Sequence, residues 1–184
     1  GATQSGKTSA AITLAGAALV RGWHVVVLDP RRFKNWHITQ PWAELVDTRN
    51  PRVLIAALEF LLEEHDRRDK LLGQHQARDL ASLPEGLRPP RTMIVIDEFT
   101  AMRARAIEMQ VGGLLDQRMQ VISAEAAATG LHLVLIDQRP DFYPGTLKVN
   151  TYPVIFQVTD QYMSSAVGWS KAHELKPHML YWNG

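Results

Sequence analysis

The sequence predicts an α/β chain with a mostly parallel sheet flanked by helices. Three observations predict it. Short β-branched apolar runs alternate with longer stretches of helical periodicity. Three of those runs lead into an acid, in HVVVLDP, TMIVIDEF and LHLVLIDQRP. The chain also opens on GATQSGKT and passes straight into an Ala-rich stretch.

The elements follow in order. TSAAITLAGAALVRG places Ile12, Ala15 and Leu19 at helical spacing, and Gly22 supplies a stop. Gly16 within it suggests close packing against the sheet. HVVVLDP is a buried strand. Residues 33–50 read as irregular and hold Trp36 and Trp42. NPRVLIAALEFLLEEHDRRDKLL is a long helix, with Asn50 as cap, Pro51 in the first turn and Leu54, Leu58, Leu61 and Leu62 on the apolar face. ASLPEGLRPPR is a loop. TMIVIDEF is the second buried strand, MQVGGLLDQRMQVISAEAAATG a helix closed by Gly130, and LHLVLIDQRP the third strand. YPVIFQVT is a fourth strand, DQYMSSAVG a short capped helix and HMLYWNG a last strand.

Length and composition bound the function. The 184 residues are one domain by size, and 46% hydrophobic with 21% charged residues is ordinary for a globular chain. Twenty Lys+Arg against nineteen Asp+Glu leave a net charge of +1, so any nucleic-acid binding must come from a local patch or from oligomer geometry. There is no cysteine, which excludes disulfides, thiolate metal sites and cysteine nucleophiles and fits a reducing compartment. No apolar run reaches the ~18 residues of a membrane span. The seven histidines show no metal-ligand spacing.

Gly1, Ala2, Thr3, Gln4, Ser5, Gly6, Lys7 and Thr8 satisfy the phosphate-loop pattern. A phosphate needs converging backbone N–H groups with no side chain in the way, hence Gly1 and Gly6. The helix starting near Lys7 adds its N-terminal partial positive charge. Lys7 is then placed for the β- and γ-phosphates, and the Thr8 hydroxyl for Mg2+. Asp97 and Glu98 end the apolar run 93–96. A phosphate-loop NTPase needs such a pair, Asp97 for the Mg2+ shell and Glu98 to polarise the attacking water. A phosphate loop is the turn between a central strand and its helix, yet no strand stands before Gly1. The sequence therefore reads as part of a longer protein, with a sheet lacking its middle.

These blocks resemble the motor domain of FtsK/SpoIIIE-type DNA translocases. GATQSGKT is similar to that family's phosphate loop, VVVLDPRR to its strand ending in Asp-Pro-Lys, and EEHDRRDKLL to its helix with paired Arg before Lys-Leu. MIVIDEFTAM resembles its Walker B strand and AAATGLHLVLIDQRPD its Gly-Ile-His-Leu stretch ending in Gln-Arg-Pro, with GTLKVN and HMLYWNG echoing later segments. The resemblance covers most of residues 1–184. It implies a RecA-like P-loop NTPase, a single ATPase motor domain that binds ATP and Mg2+ and pumps double-stranded DNA through a homo-oligomeric, usually hexameric, ring. It implies a cytoplasmic domain, attached to a membrane only through parts outside this stretch, serving chromosome partition or transfer of a conjugative or mobile element. Gln138 takes the role of the sensor of the γ-phosphate. Arg139 contacts phosphate, DNA or a neighbouring subunit, or else pairs with Asp141.

Several residues depart from the family pattern. Gln4 replaces a usual glycine, and Asp137 stands where threonine is usual, close to where a γ-phosphate would lie. Gln157 replaces a family arginine, and no arginine follows Arg139. The cation that a ring ATPase supplies across its subunit boundary is left to Arg67, Arg68, Arg103, Arg105 or Arg118. The Arg31-Arg32-x-Lys34 cluster is either a contact to a phosphate backbone or a solvated loop. A type VII secretion ATPase that moves protein, and a nucleotide-binding scaffold subunit without hydrolysis, remain the alternatives.

Overall fold

A computed structural model describes residues 6–137, the strands at 154–156 and 180–182, and residue 174. The short capped helix expected in DQYMSSAVG lies outside the described residues, as do Gly1 to Ser5, Gln138, Arg139 and Gln157.

Helix α1 (Lys7–Val20) is followed by strand β1 (His24–Asp29), strand β2 (Glu44–Asp47) and the long helix α2 (Pro51–Gln74). Strand β3 (Thr92–Asp97), helices α3 (Phe99–Glu108) and α4 (Gly112–Glu125), and strand β4 (Leu131–Ile136) complete the main body. Strands β1 to β4 form one parallel sheet in the order β2-β1-β3-β4. Strands β5 (Val154–Phe156) and β6 (Leu180–Trp182) pair antiparallel as a separate two-stranded ribbon.

The two-residue period of the strands divides the core. Val25 and Val27 of β1 and Met93 and Val95 of β3 point to one face, where they pack with Ala11, Ala15 and Ala18 of α1. Leu28, Ile94 and Ile96 point to the other, against Leu54, Leu58 and Leu61 of α2, Phe99 and Met102 of α3, and Leu115 and Met119 of α4. Every residue of β3 is buried, as a strand covered on both faces requires. Alanines on the buried side of α1 let that helix lie close to the sheet. The same period puts Asp29 and Asp97 on the α1 face, at the carboxyl ends of adjacent strands.

The ends of the elements follow from local chemistry. Gly22, at φ 75°, closes α1: its N–H donates to Leu19 O and that of Trp23 to Ala18 O, at 2.9 and 3.0 Å. The Asn50 side chain caps α2 by accepting from Arg52 N, with Pro51 in the first turn, as expected.

The structure corrects the sequence reading in several places. Residues 44–47, read as irregular, form β2 at the sheet edge. Its four residues are short, acidic at both ends and only partly buried, so no apolar alternation announces them. Helix α3 went unread because it starts directly after the strand, with no linker and arginine at positions 103 and 105. Helix α4 ends at Glu125, ahead of Gly130, which instead turns the chain into β4 at φ 73°. A Cβ at Gly16 would meet nothing within 4 Å, so close packing does not explain that glycine. Strands β1, β3 and β4 are direct neighbours, and β4 forms one edge of this four-stranded sheet.

Candidate functional site

The carboxyl ends of β1, β3 and β4 and the start of α1 meet at one end of the sheet. Gly6 is the N-cap of α1, at φ 90° and with no side-chain cap. A left-handed residue there favours glycine. The N–H groups of the first helical turn, at Lys7, Thr8 and Ser9, have no acceptor within the helix and point away from its start. Lys7 is half-buried, and burial pulls its ammonium pKa down while Glu98, Asp137 and Asp97 pull it up, in that order. Lys7, Asp97 and Glu98 thus share one electrostatic field at the start of α1. Thr8, next along α1, lies in its first turn.

Asp97 is 4% exposed. Burial pushes its carboxyl up to about 6 against the opposing effect of the Trp36 indole, and the carboxylates of Asp29 and Glu98 add to the rise. Trp36 Nε1 donates to Asp97 Oδ2 at 3.1 Å. The charges of Lys7 and Arg31 act on this acid cluster from the helix start and from the loop after β1. Among the described residues, no group of three or more His, Asp or Glu is spaced to hold a metal ion by itself, so a cation here would rest on few protein oxygens.

Glu98 leaves the strand in the left-handed conformation, φ 55° and ψ 44°, and is the N-cap residue of α3. That turn carries its side chain out of the alternation of β3. Glu98 Oε1 forms an ion pair with Arg31 Nη2 at 2.7 Å. Asp137, just after β4, uses Oδ2 to accept from both Thr100 N and Thr100 Oγ1 at 2.6 Å. The acid expected to repel a γ-phosphate is therefore engaged by the first turn of α3. Sequence reasoning placed neither Trp36 nor Arg31 nor Thr100 in the site. The only available signal was their nearness to the ends of acid-tipped strands.

The five arginines left open for a cation acting across a ring now separate. Arg68 is buried on Glu64, Thr129 and Thr92, which removes it from the set. Arg67, Arg103 and Arg118 form ion pairs with Glu64, Asp116 and Glu59. Arg105 is exposed and makes a 3.5 Å contact to the backbone oxygen of Arg49.

A parallel sheet whose strands end in acids beside an uncapped helix start is the fold of a P-loop ATPase domain. Comparison with known proteins makes this particular. The DNA translocase FtsK of Borreliella burgdorferi is 32% identical over 142 residues, 69% of this chain and 17% of that protein. FtsK of Treponema pallidum is 31% identical over 110 residues, 54% of this chain and 13% of its own. The DNA translocase SftA of Bacillus subtilis is 25% identical over 186 residues, 91% of this chain and 19% of its own. The chain thus spans less than a quarter of the length of these relatives. Among solved structures, the pCW3 conjugation coupling protein TcpA, in monomer form with ATPγS, superposes with a TM-score of 0.83 at 20% identity, over 94% of this chain and 51% of that one. The cytoplasmic domain of the Thermomonospora curvata type VII secretion ATPase EccC superposes with a TM-score of 0.77 at 20% identity, over 100% of this chain and 23% of that one. No protein-family model matches. The chain belongs to the FtsK/SpoIIIE family of ATPase domains.

Proposed function

We propose that this domain is the ATP-hydrolysing motor of a ring-forming translocase of double-stranded DNA. The observation that carries the reading is the convergence of Lys7, Asp97 and Glu98 at the head of α1, in a chain whose sequence relatives are named DNA translocases. The first turn of α1, with the loop Gly1, Ala2, Thr3, Gln4, Ser5 and Gly6 before it, receives the phosphates, and Lys7 balances the charge of the terminal pair. Thr8 and Asp97 would hold Mg2+, which when bound neutralises phosphate charge. Glu98 orients water and accepts its proton, the part a carboxylate at the edge of a partly buried site performs well. Trp36 fixes the Asp97 carboxylate by its indole N–H. Gln138 follows Asp137 and carries the amide that would report on the γ-phosphate.

Hydrolysis by such a site is useful to a motor only when neighbouring subunits read it. Arg105, exposed on α3 directly after the acid pair, is the cation we assign to that reading in a hexameric ring. The domain works in the cytoplasm, with any membrane attachment outside residues 1–184. ATP-dependent displacement of a third strand from a duplex track tests the reading. Displacement that needs ATP and is lost in Glu98→Gln supports it. Turnover driven by a secreted peptide, with no displacement, would assign the domain to protein secretion. ATP binding without turnover would make it a scaffold.

A further inference from the structure

Two apolar stripes lie exposed among the described residues, and they end in opposite charges. The first lies on the turns that follow β1. His37 N donates to Phe33 O at 3.0 Å, and Thr39 N to Trp36 O and Ala43 N to Thr39 O at 2.9 Å. This repeated one-turn bonding gives residues 33–43 a helical spacing. Trp36, Thr39 and Ala43 fill the inner side and are buried. Lys34, Ile38 and Trp42, four positions apart, are left on the outer side. Ile38 is 62% and Trp42 69% exposed, and the exposed Lys34 stands one turn ahead of them.

The second stripe lies on α2. Leu54, Leu58 and Leu61 turn one face of that helix to the core, so the outward face of such a helix should be polar. It is instead apolar at Val53, Ala56 and Phe60, which share helical spacing and are exposed, Phe60 by 68%. The exposed Glu63 follows Phe60 by one turn. Among the described residues, neither Lys34 nor Glu63 takes part in an ion pair. Scattered exposed hydrophobics need no explanation, but a contiguous apolar stripe rimmed by charge is the pattern of a contact surface.

The stripes lie on opposite sides of the sheet. Trp36 and Ala43, beneath the first, pack with Ala11 and Ala15 of α1, whereas α2 covers the other face. One chain cannot bring them together, but two copies can. We propose that the stripe of Lys34, Ile38 and Trp42 on one copy docks on that of Val53, Ala56, Phe60 and Glu63 on the next. The apolar parts leave water, and the lysine end of one stripe meets the acidic end of the other. A nucleic acid would suit Lys34 and Trp42 but leaves the acid-ended stripe of α2 without a role; a second copy uses both. Two different patches make the contact heterologous, so its repetition gives a ring or an open filament. The inference rests on the ring of the proposed function and names the faces that build it. Arg105 belongs to the α2 side, its guanidinium 3.5 Å from Arg49 O just ahead of that helix. The turns after β1 border the acid cluster through Arg31. The contact therefore sets the layer carrying Arg105 against the side of the neighbour that borders its site.

Residues 1–184 contain no cysteine, so introduced thiols report the contact in the intact protein, with the unsubstituted protein as background. Lys34→Cys and Glu63→Cys, purified separately, are mixed and treated with a short bis-maleimide. Crosslinked dimers are expected in the mixture and not in either variant alone, because a heterologous contact does not place like against like. Sedimentation over a range of concentrations gives the second reading. Trp42→Ser and Phe60→Ser should each raise the dissociation constant between copies about tenfold or more, the scale of an aromatic anchor lost from an interface. Lys34→Glu and Glu63→Lys should each weaken association several-fold, and both swaps in one chain should restore it. Association unchanged in Trp42→Ser and Phe60→Ser, or no crosslink in the mixture, overturns the stripes and leaves the ring reading standing. A wild type that stays monomeric with and without ATP overturns both. Loss of duplex binding in Trp42→Ser with association unchanged gives the first stripe to nucleic acid and likewise overturns the proposal.

Discussion

Asp137 stands at the end of β4 with Oδ2 within 2.6 Å of both the amide and the hydroxyl of Thr100. From sequence alone it is an acid where a phosphate would lie, because Thr100 is 37 positions away and nothing local connects them. In the fold it satisfies an N–H of α3 that the helix leaves open. Asp137→Ala should therefore lower unfolding free energy by about 1 kcal/mol, the scale of a lost helix cap, measured by denaturant titration. The phosphate-loop pattern is the reverse case, since its spacing is written in consecutive residues and singles out Lys7 directly. Lys7→Ala should weaken ATP binding by about 2–5 kcal/mol, as losing a partly desolvated charge partner does, read by calorimetry. Glu98→Gln should bind ATP as wild type does and hydrolyse it about a hundredfold or more slowly, read by phosphate release.

At the scale of elements, α2 is tied to the amino ends of β3 and β4 by a buried polar network. Arg68 donates to Thr129 O at 3.1 Å and to Thr92 Oγ1 at 3.2 Å, while the His65 ring and Thr129 Oγ1 lie 2.9 Å apart. Glu64 closes the network, with 2.6 Å contacts from Arg67 and Arg68. Arg67 first, and then Arg68 against the cost of burial, hold its carboxyl down to about 2. Its folded pKa lies below the ordinary value near 4.5, so its stabilisation is present above pH 4.5 and disappears as pH falls towards 2. Glu64→Gln should lower Tm at neutral pH and flatten the loss of Tm across that acid range. Gly130 marks the turn from α4 into β4, where a Cβ would overlap Leu80 and crowd Arg91 Cγ at 3.3 Å. The sequence reading used this glycine as a helix stop. It could not see that Leu80, fifty positions earlier, fills the space beside it. Strands β1, β3 and β4 were legible because burial on both faces writes continuous apolar runs. β2 and α3 were not, because an edge strand and a short surface helix bury too little to leave a pattern.

For the whole molecule, a net charge of +1 conceals a local asymmetry. Acids gather at the carboxyl ends of β1 and β3, while Arg31, Arg32 and Lys34 stand on the loop beside them. The sheet order brings the start of α1, the acid pair and that basic loop to one end of the sheet. Pattern alone could suggest each part, but only the fold shows that they share one end of the sheet. The central claim is a nucleotide site coupled to DNA, and it is tested most directly by steady-state ATP hydrolysis of the intact protein with and without long double-stranded DNA, with Glu98→Gln alongside. The account predicts strong stimulation of the wild type by duplex DNA and near-silence of the variant under both conditions. Hydrolysis that ignores DNA, or a variant as fast as wild type, would contradict it.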